Sequence, residues 1–372
     1  MRILLDYRPA LRNRTGVGEY VHELARALAA TAQPDESVTL FSASWKDRLS
    51  PSAVPGTRTV DRRIPVQLLN LAWHRLGWPS AESLAGGPFD IVHSGHPLLM
   101  PARRAARVVT VHDLDFLDHP DRTHAEIRRD YPSLAAPHAL RADHVIAVSR
   151  HTARQVTNRL GVPESRLTVC SPGAPDWSRR LTEPADGVIL FLGSIEPRKN
   201  LAVLLDAYEQ LRAHAAGPVP RLLLAGRAGA AAAPLMERIG RPPLAGWVDL
   251  PGYIDPDRRL EVYDRALVLV IPSHTEGFGI PALEAMTRGI PVIAANRGAL
   301  PEVVESAGRL IDPDDAQALA HAIRSVVGDR AERDRMREAG WRQAQRFTWR
   351  ESAREIREAW AMAVERRLKD RD

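Results

Sequence analysis

The stretch "ALVLVIPSHTEGFGIPALEAMTRGIPVIAAN" (266–296) holds a complete unit of architecture. ALVLVIPS (266–273) is a continuous apolar, partly β-branched run that predicts a strand. IPALEAMTRG (280–289) predicts a helix, with Pro281 near its first turn and Gly289 just past its end. PVIAAN (291–296) predicts the next strand. Strand, helix and strand in that order make a parallel βαβ crossover, whose strands are buried on both faces. The turn between first strand and helix carries Glu276, Gly277, Phe278 and Gly279, and Glu284 follows one helical turn later. Two carboxylates thus flank a glycine-rich turn at the carboxyl end of a strand, which is where open α/β sheets bind ligands.

The same alternation extends outward in both directions, twice over. The first half shows the runs RILLD (2–6), VTLFSA (38–43), FDIVHSG (89–95), VVTVHDL (108–114), HVIAVS (144–149) and LTVCSPG (167–173). GVILFLGS (187–194), RLLLAGR (221–227), VDLPGYI (248–254) and GRLIDP (308–313) join the two strands above in the second. Two doubly wound α/β domains follow, and 372 residues suffice for two cores. Their boundary is expected in SPGAPDWSRRLTEPADG (171–187), rich in Pro, Gly and charge and without a period. WRESAREIREAWAMAVERRL (349–368) predicts a final helix with Ala353, Ile356, Trp360 and Val364 on one stripe. A single Cys rules out an internal disulfide, and no window approaches the ~18 apolar residues of a membrane span. The opening MRILLDYRPA turns polar too soon for a secretory signal, so a cytoplasmic protein is expected. A net charge of +5, spread along the chain, argues against a nucleic-acid partner.

Two further loops carry chemistry. After the first strand, Gly16 and Gly18 fall at the N-terminus of a helix whose core positions are Val17, Val21, Leu24 and Leu28. Backbone amides there can face an anion, although an unliganded turn reads equally simply. In GSIEPRKNLAVLLDAYEQL (193–211), Asn200 is the expected N-cap, and Arg198 and Lys199 precede a positive helix end where they are locally unfavourable. A bound polyanion reverses that sign, and a planar fork beside a mobile point charge suits a diphosphate. Carboxylates would repel the phosphates but accept from neutral hydroxyls on either side, which describes a nucleotide sugar.

The order and spacing of TGVGEYVHELARAL, VVTVHDL, VIAVSRHTARQV, FLGSIEPRKN, LPGYIDPDRRLEVYDRA and SHTEGFGIPALEAMTRGIPVIAANRGALPEVV resemble the retaining glycosyltransferases of family 4 over nearly the whole chain. That resemblance implies the GT-B fold of two facing Rossmann-like domains. These are expected at residues 1–176 and 186–348, with 349–372 crossing back to the first. It implies a nucleoside diphosphate sugar as donor substrate, a carbohydrate or lipid-linked acceptor, and no cofactor or metal. Glu276 would then bind hydroxyls of the transferred sugar, helped by Gly277, Phe278 and Gly279, and Glu284 would bind the ribose. Arg198 and Lys199 would neutralise the departing diphosphate, with Gly193 and the Gly16–Gly18 loop close by. The base would rest against Gly252, Tyr253 and Ile254, and His112 would reach the sugar. VCSPGAPD departs from the family, where an Asn-Gly pair is frequent; Pro172 and Gly173 keep the turn.

Other readings compete. His93, His96, His112, His119 and His124 lie close in sequence, and His112–Asp113 occurs in metal-dependent phosphohydrolases, yet the histidines end separate strands and no HExxH pattern accompanies them. Paired carboxylates also serve glycosidases. A bilobal nucleotide-sugar binder without chemistry, or an epimerase of the same fold, would share most contacts. RRIPVQLLNLAWHRLGWPSAESLAG (62–86) sets Leu68, Leu69, Leu71, Trp73, Leu76 and Trp78 among Arg62, Arg63 and Arg75. Covering the sheet is the favoured reading of that segment; peripheral contact with a membrane is the other. The residues do not choose donor, acceptor or oligomeric state.

Overall fold

The computed structural model describes residues 1–11, 14, 16–120, 123, 125–214 and 217–370. The chain forms two compact units, Met1–Gly173 with Thr348–Asp372 and Ala174–Phe347. His124 lies outside the described residues.

The first unit contains a wholly parallel sheet of β1 (Arg2–Asp6), β2 (Ser37–Ala43), β3 (Arg58–Arg62), β4 (Ile91–Ser94), β5 (Ala106–Val111), β6 (His144–Ala147) and β7 (Leu167–Val169). Its order is β3-β2-β1-β4-β5-β6-β7. Of these, β3 escapes the sequence reading, because RTVDR has three charged residues in five and no apolar run. It is an edge strand, none of whose residues is fully buried, and its pairing with β2 needs only backbone.

The second unit repeats the plan with β8 (Val188–Leu192), β9 (Leu222–Ala225), β10 (Val248–Gly252), β11 (Ala266–Ile271), β12 (Val292–Ala295) and β13 (Arg309–Ile311), ordered β10-β9-β8-β11-β12-β13. Every pair is again parallel. The helices Leu201–Ala213 and Ala316–Gly328 cover one face, burying Leu204, Leu205, Tyr208, Leu319 and Ile323 against Ile189, Phe191, Val268 and Val270. Each sheet reverses its order beside its own first strand: between β1 and β4, and between β8 and β11.

The last helix, Trp349–Lys369, begins where the Thr348 hydroxyl accepts from the Glu351 amide. It returns to the first unit and packs on β5, β6 and the helix Val17–Ala30, called α1. Ala353, Ile356 and Trp360 of the expected stripe are buried and Val364 is half-buried. Trp360 donates its indole N–H to His93 Nδ1 at 3.3 Å, and Arg357 reaches Glu36, Thr31 and the Leu28 carbonyl. A Cβ on Gly173 would lie 2.2 Å from the Trp349 amide nitrogen, so this glycine admits the start of the helix.

Candidate functional site

The loops that follow β8 and β11 leave the second sheet on either side of its order reversal, where ligands of doubly wound sheets collect. They are the loops that the sequence singled out. The first runs from Gly193 through a short 3₁₀ turn, Pro197–Lys199, to Asn200; the second carries Ser273, His274 and Glu276. Backbone joins them directly, His274 N–H donating to the Arg198 carbonyl at 2.9 Å. Asn200 stands at the N-cap position but does not cap. It adopts a left-handed conformation (φ 55°), and its amide donates to the carbonyls of Pro272 (3.1 Å) and Pro313 (2.7 Å). The expected capping bond is thus replaced by a stitch between three loops.

Two glycines outside the sequence reading make this arrangement possible. A Cβ on Gly226 would sit 1.8 Å from the Gly193 carbonyl oxygen, and one on Gly298 would sit 2.7 Å from the Glu276 nitrogen. Both have positive φ, +150° and +64°, which glycine adopts without strain. Gly298 therefore fixes the backbone of Glu276, with the next residue's amide donating to the Glu276 carbonyl at 3.0 Å.

The charges are paired more closely than the sequence suggests. Lys199 Nζ donates to Glu276 Oε1 at 2.6 Å, and Ser273 Oγ donates to the same oxygen at 2.7 Å. Arg198 lies 3.7 Å from Glu276 Oε2 and donates through Nε to Glu196 at 3.2 Å. Arg198 and Lys199, locally unfavourable at a positive helix end, are therefore compensated by these carboxylates, and they also hold the two loops together. Burial pushes the Lys199 ammonium down, with Glu276 opposing. For Glu276 burial acts upward but is outweighed by Lys199, Arg198 and Ser273, so its carboxyl is held below the usual range. The result is a buried carboxylate with Lys199 at one oxygen and Arg198 near the other. Glu276 takes one of the three N–H groups of Lys199.

Glu284, 4% exposed, lies in the helix Ile280–Arg288 and is also held on both oxygens. Oε1 accepts from Arg259 at 2.5 Å and Oε2 from the Tyr263 hydroxyl at 2.7 Å. Arg259 and Tyr263 lie outside the sequence-based expectations, although their i, i+4 spacing in DRRLEVYDRA, in the short helix Arg259–Asp264 that precedes β11, is a usable signal. A carboxylate has about four lone-pair directions, so each oxygen retains acceptor capacity toward a hydroxyl. Gly279 begins the helix at φ +104°, and the Phe278 ring is buried edge-on to Phe347, 5.7 Å between centroids. Gly252 ends β10, Tyr253 and Ile254 follow it, and all three are half-buried. Gly252 O accepts from Gly226 N at 2.8 Å, and Arg227 lies 5.7 Å over the Tyr253 ring.

Gly16, Gly18 and His112 belong to the first unit. Gly16 is exposed before α1, with φ +39° and nothing within 4 Å of an added Cβ. Gly18 is buried, and its absent side chain is already used: a Cβ would stand 2.5 Å from the Pro9 carbonyl. His112 follows β5 and donates from Nε2 to the Gly95 carbonyl at 3.0 Å, which leaves the Nδ1 lone pair as acceptor. Burial depresses it to about 4, so the ring is neutral at pH 7. His93 is deeply buried between Thr110 and Trp360 and is depressed to about 3, while His96 bonds Asp6 at 3.1 Å. Among the described residues no group of three or more His, Cys, Asp or Glu is placed to hold a metal ion.

Comparison with known proteins bears on this geometry. Residues 14–176 match the family Glycosyltransferase Family 4, and residues 175–343 match Glycosyl transferases group 1. The chain belongs to glycosyltransferase family 4. It is 29% identical to the O-antigen chain mannosyltransferase B of Escherichia coli, over 94% of this chain and 96% of that one. A D-inositol 3-phosphate glycosyltransferase of Nocardioides sp. is 28% identical over 96% and 87% of the two chains. Among solved structures, sucrose-phosphate synthase of Thermosynechococcus elongatus superposes with a TM-score of 0.77 at 22% identity, covering all of both chains. HepE of Anabaena with UDP-glucose gives 0.72 at 20% identity, covering 97% and 99%. The fold is GT-B, and the protein is a glycosyltransferase enzyme.

Proposed function

We propose that this enzyme moves a hexose, in the first place mannose, from a nucleoside diphosphate sugar to a hydroxyl of a carbohydrate or lipid-linked acceptor in the cytoplasm, with retention of anomeric configuration. The observation that carries the reading is the cluster at the β8/β11 reversal, in which Arg198 and Lys199 are held in place by Glu276. In this reading the diphosphate binds against the Arg198 guanidinium and the Lys199 ammonium. The sugar hydroxyls donate to the Oε2 side of Glu276, and the ribose hydroxyls donate to Glu284 between Arg259 and Tyr263. The base lies on the backbone of Gly252–Ile254, and His112 Nδ1 accepts from a sugar hydroxyl. Glu276 already holds one oxygen toward Lys199 and Ser273, an arrangement that suits a hydroxyl acceptor better than a nucleophile.

In the transfer, the bond from C1 to the phosphate oxygen breaks and its electron pair leaves with the diphosphate. The acceptor oxygen bonds to C1 from the same face and passes its proton to the leaving phosphate. Fixed positive charge at the leaving group is worth most where it needs no reorganisation, and the Glu276 ion pair provides that rigidity. The similarity to a mannosyltransferase supports mannose, and GDP-mannose and UDP-glucose lead the panel for a test. Each donor is offered with and without acceptor sugars, and the anomeric signals of the product are read by NMR. A product of inverted configuration, or no turnover or hydrolysis of any donor, would overturn the proposal.

A further inference from the structure

The helix Val66–Leu76, here α2, meets the first sheet with only one of its faces. Leu69, Asn70 and Trp73 are buried; Trp73 packs 6.0 Å from Phe41, beneath the Arg8 guanidinium at 4.8 Å, and donates to the Pro79 carbonyl. The favoured expectation, that this segment covers the sheet, thus holds for that face. The opposite face is apolar too. Leu68 and Leu71 are 62% and 57% exposed, with Leu76 at 73% and Trp78 at 60% just beyond. Positions 68, 71 and 75 share one side of a helix, so Arg75 projects from the middle of this surface. Register brings a further ring to the same edge: Ala43 pairs with Arg62, Ser44 N donates to the Arg62 carbonyl at 3.1 Å, and the next residue, Trp45, is 64% exposed. Arg62, Arg63 and Lys46 are exposed there as well.

We propose that this face of α2, with Trp45 and Trp78, is a docking surface for an anionic lipid bilayer. Charge selects the occupant. Between Arg62 and Ser80 the chain carries three arginines and no Asp or Glu. Asp130, 3.8 Å from His74, is engaged by Arg129, and Asp61 by Arg48. A second copy of the chain docked through this face about a two-fold axis would oppose arginine to arginine at the centre, which is unfavourable. Leucine, tryptophan and arginine on one helix face fit the interface, the apolar groups entering the acyl boundary while guanidinium groups meet lipid phosphates. No described helix is long and apolar enough to cross a membrane, so attachment through this face is peripheral.

The test is co-sedimentation of the full-length protein with sucrose-loaded vesicles of phosphatidylcholine, alone or mixed with phosphatidylglycerol. The expected result is binding to the mixed vesicles, weakened by salt, and little binding to the neutral ones. Leu71→Ser with Trp78→Ser should lower the partition at least about tenfold. Arg63→Gln with Arg75→Gln should lower it about fivefold per charge. All four side chains are exposed, so thermal melting should be unchanged; if the apolar pair melts early, the arginine pair alone decides. Failure of the wild type to bind mixed vesicles, equal binding by the arginine variant, or a dimer in solution that the arginine pair strengthens on removal would overturn the proposal. Each of these outcomes is independent of which donor the enzyme uses.

Discussion

Replacing Glu276 by Gln probes two roles of one side chain, and the structure predicts opposite effects on two ligands. The substitution keeps the length and one acceptor, so Ser273 and Lys199 can still donate, but it deletes the counter-charge of a Lys199 ammonium whose side chain is only 10% exposed. Breaking a buried pair costs about 3 kcal/mol, which lowers the melting temperature of the second unit by roughly 6–12 °C. A nucleoside diphosphate brings negative charge back to Lys199 and Arg198, so it should bind the variant at least as well as wild type and raise its melting temperature more. The intact donor should fare worse, because its sugar loses a hydrogen bond to a charged acceptor, about 1.5–3 kcal/mol or ~10–150-fold. Calorimetry with both ligands, beside melting curves, measures each part. Equal loss for both ligands would refute the sugar assignment, and an unchanged melting temperature would refute the buried ion pair as a source of stability.

Lys199→Ala and Arg198→Ala should each lower turnover by ~10²–10³, the usual loss of one donor to a departing charge; near-normal rates in both would remove the diphosphate assignment. Tyr263→Phe deletes the 2.7 Å bond to Glu284, and should weaken nucleoside diphosphate binding several-fold while leaving the ratio of donor to diphosphate affinity unchanged; a change confined to the donor contradicts ribose binding by Glu284. Gly298→Ala would force its Cβ against the Glu276 backbone, so activity should fall far more than for Gly328→Ala, where nothing lies within 4 Å and φ is not in the left-handed region. Comparable activities would show that the loop yields. Burial holds His93 near 3, and His22, His112, His138 and His144 near 4, against 6.5 in the unfolded chain. These depressed values contribute stability that is fully present above about pH 6.5 and lost as pH falls toward 4. The first unit should therefore melt at progressively lower temperature across that window, and a flat profile would contradict the burial of these rings.

Sequence alone determined the architecture, because a parallel sheet covered on both faces writes itself as continuous apolar runs that local composition reveals. All twelve strands predicted from such runs occur, and the helix ends at Pro281 and Gly289 follow from local backbone chemistry. The edge strand RTVDR was invisible because edge pairing asks for backbone and a free neighbour, not for apolar side chains. The acidic and basic candidates were legible as residue types at particular strand ends. Tertiary structure alone decided their partners. Lys199 and Glu276 are 77 positions apart and meet only because β8 and β11 are neighbours; Arg259 and Tyr263 reach Glu284 across a turn and a strand. The same holds for Gly226 and Gly298, whose necessity lies in a contact with another loop's backbone, and for Asn200, whose amide serves two distant carbonyls instead of its own helix. A local pattern records what a residue does to the chain beside it. Pairing between distant segments depends on strand order, which is set by the packing of the whole sheet.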